Sequence, residues 1–188
     1  MSALPLAAPH VLLPGDPGHD EELTGFQTGF SLRPHLIVAA TSADDVRAAV
    51  AHAAELGLPV GVQATGHGLP GDAEGGVLIS TRRMDGVRID AERRTVRVEA
   101  GVRWGAVVAA AAPYGLAPLN GSAPGVGAVS YTLGGGLGIL GPWATGRALN
   151  FVFGDGERTE GLFGPGTRER LARVKGTYDP ANLFRRLF

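Results

Sequence analysis

Two stretches of this sequence hold the residue types that could do chemistry. The first is residues 62–71, VQATGHGLPG, which sets His67 between two glycines at the end of an apolar run. Glycines in such a turn let the backbone approach a ligand closely, and consecutive N–H groups there can cradle phosphate oxygens. A histidine at the tip adds a nucleophilic imidazole beside whatever the loop holds. Many surface loops read Gly-His-Gly, so the run gains weight only beside the second stretch. That is residues 120–141, NGSAPGVGAVSYTLGGGLGILG.

The elements around these runs read as follows. After an irregular stretch over residues 1–33, the apolar run 36–40 (LIVAA) predicts a buried strand. Thr41 or Ser42 then caps a helix with Asp44 and Asp45 in its first turn, where acids suit the helix dipole. Val46, Ala49, Val50, Ala53 and Leu56 recur at helical spacing, and Gly57 ends the helix. Residues 59–64 form a second strand leading into the His67 loop, and β-α-β order favours parallel strands. A third buried strand spans 76–80. Residues 86–90 and 95–99 alternate as a hairpin with one wet face. An alanine-rich helix follows over 104–112, and residues 116–119 run extended into the second glycine stretch. Beyond it come a loop at 142–146, a last strand at 148–153 and a glycine-rich linker to Pro165. A basic helix around 167–175 then precedes a proline-led turn and short helix in the tail.

Composition narrows the function classes. The chain has 188 residues, enough for one domain or two small lobes with a sizeable core. A net charge of −1 gives no broad footprint for nucleic acid or an anionic membrane. Cysteine is absent, which excludes disulfides, thiolate metal sites and cysteine nucleophiles, and fits a reducing compartment. The N-terminal residues lack a basic region and are broken by prolines, so no signal peptide is expected. No segment is apolar enough to span a bilayer, and the expected location is cytoplasmic. Gly 30 and Pro 13 make nearly a quarter of the chain. Aliphatic patterning between them predicts a folded, loop-rich α/β protein.

A dinucleotide needs backbone donors for its pyrophosphate and close approach along its rings. Neither glycine stretch stands as strand-GxGxxG-helix, and no GxxxxGK[ST] is present. The remaining common solution is a flavin site made of several loops. At this point the sequence resembles the FAD-linked oxidases with a vanillyl-alcohol-oxidase-type (PCMH) FAD-binding domain, in particular the berberine-bridge-enzyme-like branch. The resemblance rests on LIVAATSADDVRAAVAHAAELGLPVGVQATGHG, GGVLISTRRMDGVRIDAERRTVRVEAGVRWGAVV and GLAPLNGSAPGVGAVSYTLGGGLGILG, with YDPANLF near the C-terminus. It implies an α+β (α/β) fold: a PCMH-type lobe with a β-α-β start and small mixed sheets.

The resemblance also implies a site. Ala64, Thr65, Gly66, His67, Gly68 and Leu69 would wrap the FAD pyrophosphate, and His67 stands where many members join histidine to the flavin 8α-methyl. Asn120, Gly121, Ser122, Pro124, Gly125, Val126, Gly127 and Gly134 would contact the same cofactor. Some members place a second, cysteinyl link there. This sequence has Ser122-Ala123-Pro124, so attachment is single at most. The implied organisation is an irregular segment 1–33, the first part of the FAD domain at 34–141, and a family-like tail at 142–188.

The likeness also breaks. After Gly141 the chain passes within a few residues to a phrase resembling the family's end, as though the middle, with the substrate domain, were missing. Asn150 matches an asparagine near the isoalloxazine and is the candidate for catalysis. The tyrosine position before it holds Ala148. The resemblance therefore implies an FAD-dependent oxidoreductase passing hydride from a small alcohol or sugar to flavin, with oxygen as acceptor. The rival expectation is an inactive remnant or small binding module, self-associating through exposed apolar surface. A triad of Ser122 or Ser130 with His67 and Asp72 lacks a G-x-S-x-G elbow. The histidines lack paired metal-ligand spacing. His52 reads as structural, and Arg168, Arg170, Arg173 and Lys175 as a solvated helix face.

Overall fold

The computed structural model describes residues 11–68, 72–133 and 166–183. The expectations for residues 1–10, Leu69, Gly134, the join near Gly141, the loop at 142–146, the strand at 148–153 with Ala148 and Asn150, the linker to Pro165 and the tail beyond Leu183 lie outside these. The chain divides into two compact units, residues 1–84 with 179–188, and residues 85–178.

The first unit is built on a four-stranded sheet ordered β1-β3-β6-β4: Val11–Leu12 (β1), Leu36–Ala39 (β3), Val77–Ser80 (β6) and Val60–Gln63 (β4). β3, β6 and β4 are parallel, and β1 closes the edge antiparallel. Every residue of β3 and β6 is buried, as in strands covered on both faces, and their sequences, LIVA and VLIS, are apolar but for the terminal Ser80. A minor pair, Leu32–Arg33 (β2) with Ala73–Glu74 (β5), lies outside this sheet. The β-α-β order does yield parallel strands, but β6 inserts between β3 and β4, so the two strands flanking the helix are not neighbours. The stretch 11–33 is also less irregular than expected. It holds β1, a short helix at His19–Leu23 (α1) and β2.

The helix α2, Ala43–Leu56, begins at Ser42. The Ser42 hydroxyl accepts from the Asp45 amide at 3.2 Å, and the Asp45 carboxylate accepts from the Ser42 amide at 3.1 Å, so two terminal donors are satisfied reciprocally. Gly57 caps the other end through its N–H to the carbonyls of Ala53 and Ala54. Ala49 and Ala53 pack on Leu36, Val38, Val77 and Ile79, with Val46 and Val50 at the rim, whereas Leu56 is exposed. Ser42→Ala is expected to cost about 1 kcal/mol, read as a lower urea midpoint at unchanged slope.

The tail returns to this unit. The Val60 N–H donates to the Leu183 carbonyl at 2.8 Å, and Leu183 packs on the α2 face of the core. The expected turn is present at Pro180–Ala181, with the Leu183 N–H donating to the Asp179 carboxylate at 2.6 Å.

The second unit holds the expected hairpin, Val87–Asp90 (β7) with Thr95–Val98 (β8), in the register Val87 to Val98 and Ile89 to Val96. Trp104–Ala111 (α3) passes into a 3₁₀ turn at Ala112–Tyr114, Ala128–Leu133 (α4) follows, and Thr167–Tyr178 (α5) extends one turn past the expected basic helix. Val102, Trp104, Val107, Val126, Ala128 and Tyr131 form its core, with the Trp104 and Tyr131 rings edge to face at 5.7 Å. On α5, Arg170, Arg173 and Lys175 are exposed.

Candidate cofactor site

In a parallel sheet, ligands gather outside the carboxyl ends of the strands. Ala39, Ser80 and Gln63 stand in register at that edge, and the His67 loop begins directly after Gln63. Side chains alternate across a sheet, so Ser80 and Gln63 lie opposite the α2 face, on the side that meets α1. There the Ser80 hydroxyl donates to Glu22 Oε2 at 2.5 Å and Arg83 pairs with Glu22 Oε1 at 2.7 Å. Gln63 Nε2 donates to the Glu22 carbonyl at 3.1 Å, and the Arg82 guanidinium to the carbonyls of Glu21 and Thr24. A buried carboxylate needs such partners, and here they tie the end of α1 to the strand ends.

The chain leaving α1 then braces the loop. The N–H of Phe26 donates to the Thr65 carbonyl at 2.9 Å, that of Gln27 to the Gly66 carbonyl at 3.2 Å, and Gln27 Nε2 to the His67 carbonyl at 3.3 Å. Three successive carbonyls of the loop are thus turned onto residues 26–27. Among the described residues the amides of Thr65, Gly66 and Gly68 donate to no partner. Gly66 has φ +70°, and a Cβ there would sit 2.7 Å from the Gly25 Cα, whereas one on Gly68 would meet nothing within 4 Å. The loop is closed on its carbonyl side and offers spare backbone donors, which is how an anion-binding nest is made. These donors suit a pyrophosphate.

The His67 ring is held twice. Its Nδ1 lies 2.8 Å from the Thr65 hydroxyl, and the Phe26 ring stacks on it at 4.1 Å with planes 9° apart. Asp72, the acid of the imagined triad, instead accepts from the Ser31 N–H at 2.6 Å.

The second glycine stretch folds within its own unit. The N–H groups of Trp104 and Gly105 donate to the carbonyls of Val126 and Pro124, and the Ala128 N–H to that of Val102. The Gly121 N–H donates to the Tyr131 hydroxyl at 3.3 Å, and Asn120 Nδ2 to the Ser122 carbonyl at 3.2 Å. The amides of Ser122, Gly125 and Gly127 donate to no described residue. Leu69, Gly134 and Asn150 lie outside the described residues.

A family model for an FAD-binding domain matches residues 34–160, and one for berberine and berberine-like proteins matches 148–186. The chain belongs to the FAD-linked oxidase family. Among curated relatives, (R)-6-hydroxynicotine oxidase of Paenarthrobacter nicotinovorans is 36% identical over 134 residues, 70% of this chain and 29% of the relative. The FAD-linked oxidoreductase hasG of Aspergillus fumigatus is 33% identical over 137 residues, 72% of this chain and 29% of the relative. The chain spans under a third of the length of these relatives. Among solved structures, 6-hydroxy-D-nicotine oxidase from Arthrobacter nicotinovorans superposes with a TM-score of 0.62 at 34% identity, over 68% of this chain and 29% of that one. A glucooligosaccharide oxidase from Acremonium strictum, described with a 6-S-cysteinyl, 8α-N1-histidyl FAD, gives 0.60 at 26% identity, over 67% and 27%. The PCMH-type fold and the berberine-bridge-like branch stand as expected. The residues that the sequence did not single out are Gly25, Phe26 and Gln27, which lie about forty positions from the loop they brace. No helix of the described residues is long and apolar enough to cross a membrane.

Proposed function

We propose that this chain binds FAD, with the amides of Thr65, Gly66 and Gly68 on the pyrophosphate and His67 as the point of covalent attachment to the flavin 8α-carbon. One observation carries the reading. The loop's carbonyls are committed to residues 26–27, while three of its amides donate to nothing among the described residues. When bound, the flavin would supply the hydride acceptor for a small alcohol or sugar, with oxygen as final acceptor. The chain's own residues bind and orient. Asn120, Gly121, Ser122, Pro124, Gly125, Val126 and Gly127 are proposed as a further cofactor-contacting segment, on the strength of the spare amides of Ser122, Gly125 and Gly127. Ala64, Leu69, Gly134 and the candidate catalytic Asn150 join the proposal through family resemblance alone. With no cysteine in the chain, the attachment is single at most. Residues 34–141 would form the cofactor-binding part and 142–188 the C-terminal segment.

The test is the absorbance of the purified protein between about 300 and 550 nm, before and after acid precipitation. Flavin absorbance that stays with the pellet is expected. Flavin released to the supernatant would limit the protein to noncovalent binding, and no band after adding FAD would overturn the reading.

A second reading is favoured by one observation, the chain's coverage of only 29% of its curated relatives. It is a protein that holds FAD without turning over a substrate, self-associating through exposed apolar side chains such as Leu119 and Leu133. Anaerobic bleaching of the flavin by alcohols or sugars would reject it, as would light scattering of a stable monomer for the self-association.

A further inference from the structure

We propose that Phe26 is a positioning residue for flavin attachment, setting the plane of the His67 imidazole; the inference rests on the attachment reading above. Phe26 is 66% exposed, so its ring is not there to fill a core. It nevertheless lies flat on His67 at 4.1 Å and 9°. Its backbone explains why the contact is not adventitious. The Phe26 N–H is bonded to the Thr65 carbonyl, Gln27 is bonded to the carbonyls of Gly66 and His67, and Gly25 packs against Gly66. Upstream, Gln63 and Arg82 hold the carbonyls of Glu21, Glu22 and Thr24. The ring is thus delivered by a strap bonded at both ends. The stack fixes the imidazole plane, and the Thr65 hydroxyl at 2.8 Å from Nδ1 fixes rotation within it.

Attachment demands that kind of control. One C–H bond of the flavin 8α-carbon is exchanged for a C–N bond to the imidazole. The carbon and the imidazole together give up two protons and two electrons, which dioxygen accepts to become hydrogen peroxide. Bond formation needs the ring nitrogen at about 3–3.5 Å and in line with the carbon, a geometry that a freely turning imidazole seldom visits.

The experiment mixes the flavin-free full chain with FAD in air and follows acid-precipitable flavin with time, alongside FAD affinity from fluorescence quenching. Phe26→Ala is expected to slow attachment about tenfold, the scale of one aromatic pair, while affinity changes less than about twofold. Phe26→Tyr, which keeps the stack, is expected to restore the rate. In the flavin-free protein the ring-current displacement of the His67 proton resonances should vanish in Phe26→Ala and persist in Phe26→Tyr. An unchanged rate in Phe26→Ala would overturn the positioning role and leave the attachment reading standing, as would rate and affinity falling together. Wild-type protein that binds FAD in air without ever attaching it would overturn both.

Discussion

His67→Ala is expected to abolish acid-stable flavin: after denaturation, all flavin absorbance should move to the supernatant. The cause is chemical, because no other nucleophilic side chain lies in the described loop. Thr65 offers only a neutral hydroxyl, a far weaker nucleophile than an imidazole nitrogen, and Gly66 and Gly68 only backbone amides. The same substitution should leave noncovalent binding largely in place, since the amides of Thr65, Gly66 and Gly68 are untouched. Stability should fall by about 1–3 kcal/mol, the worth of the lost Phe26 stack and the lost Thr65 hydrogen bond together. Acid precipitation, FAD titration and a thermal melt on the same preparation check all three. Acid-stable flavin persisting in His67→Ala would place the attachment elsewhere.

Gly66→Ala is expected to damage both the fold and the cofactor loop. A left-handed φ of +70° costs a non-glycine residue about 1–2 kcal/mol by itself. The added Cβ would also meet backbone, the Gly25 Cα at 2.7 Å and the Phe26 N at 3.2 Å, and backbone cannot rotate aside as a side chain can. The strap must retreat, loosening the bonds from Phe26 to Thr65 and from Gln27 to Gly66. The sum is about 3 kcal/mol, and with the loop carbonyls released from residues 26–27 the loop backbone is no longer held in place, so FAD affinity should drop about a hundredfold. Gly68→Ala is the control. Its Cβ would enter open space at an unstrained φ, so the flavin-free chain should change by less than about 0.5 kcal/mol. Urea unfolding and FAD titration of the two variants check the contrast, and a Gly66→Ala protein that matches wild type in both would show that the strap does not set the loop.

What the sequence determined by itself was local. The run LIVA at 36–39, the helix from Ser42 to Gly57 and the hairpin of 86–90 with 95–99 follow from periodicity, caps and a short turn. The forces responsible act over a few residues and leave their mark in neighbouring letters. The His67 loop was legible for the same reason, because a glycine pair around a histidine after an apolar strand is a local phrase. The tertiary structure decided what that phrase is pressed against. Nothing in TGFQ announces that Phe26 will stack on a ring forty-one positions later, or that β6 will enter between β3 and β4. Such contacts are chosen by where the buried faces of distant elements meet, with Glu22, Gln63 and Ser80 drawn together because polar groups at the buried strand ends must find partners. Residues 11–33 looked irregular for that reason. Their short elements are held by pairing with β3 and β5 and by the bonds of Gln63 and Ser80 to Glu22 rather than by any periodicity of their own, and only the folded chain supplies those partners.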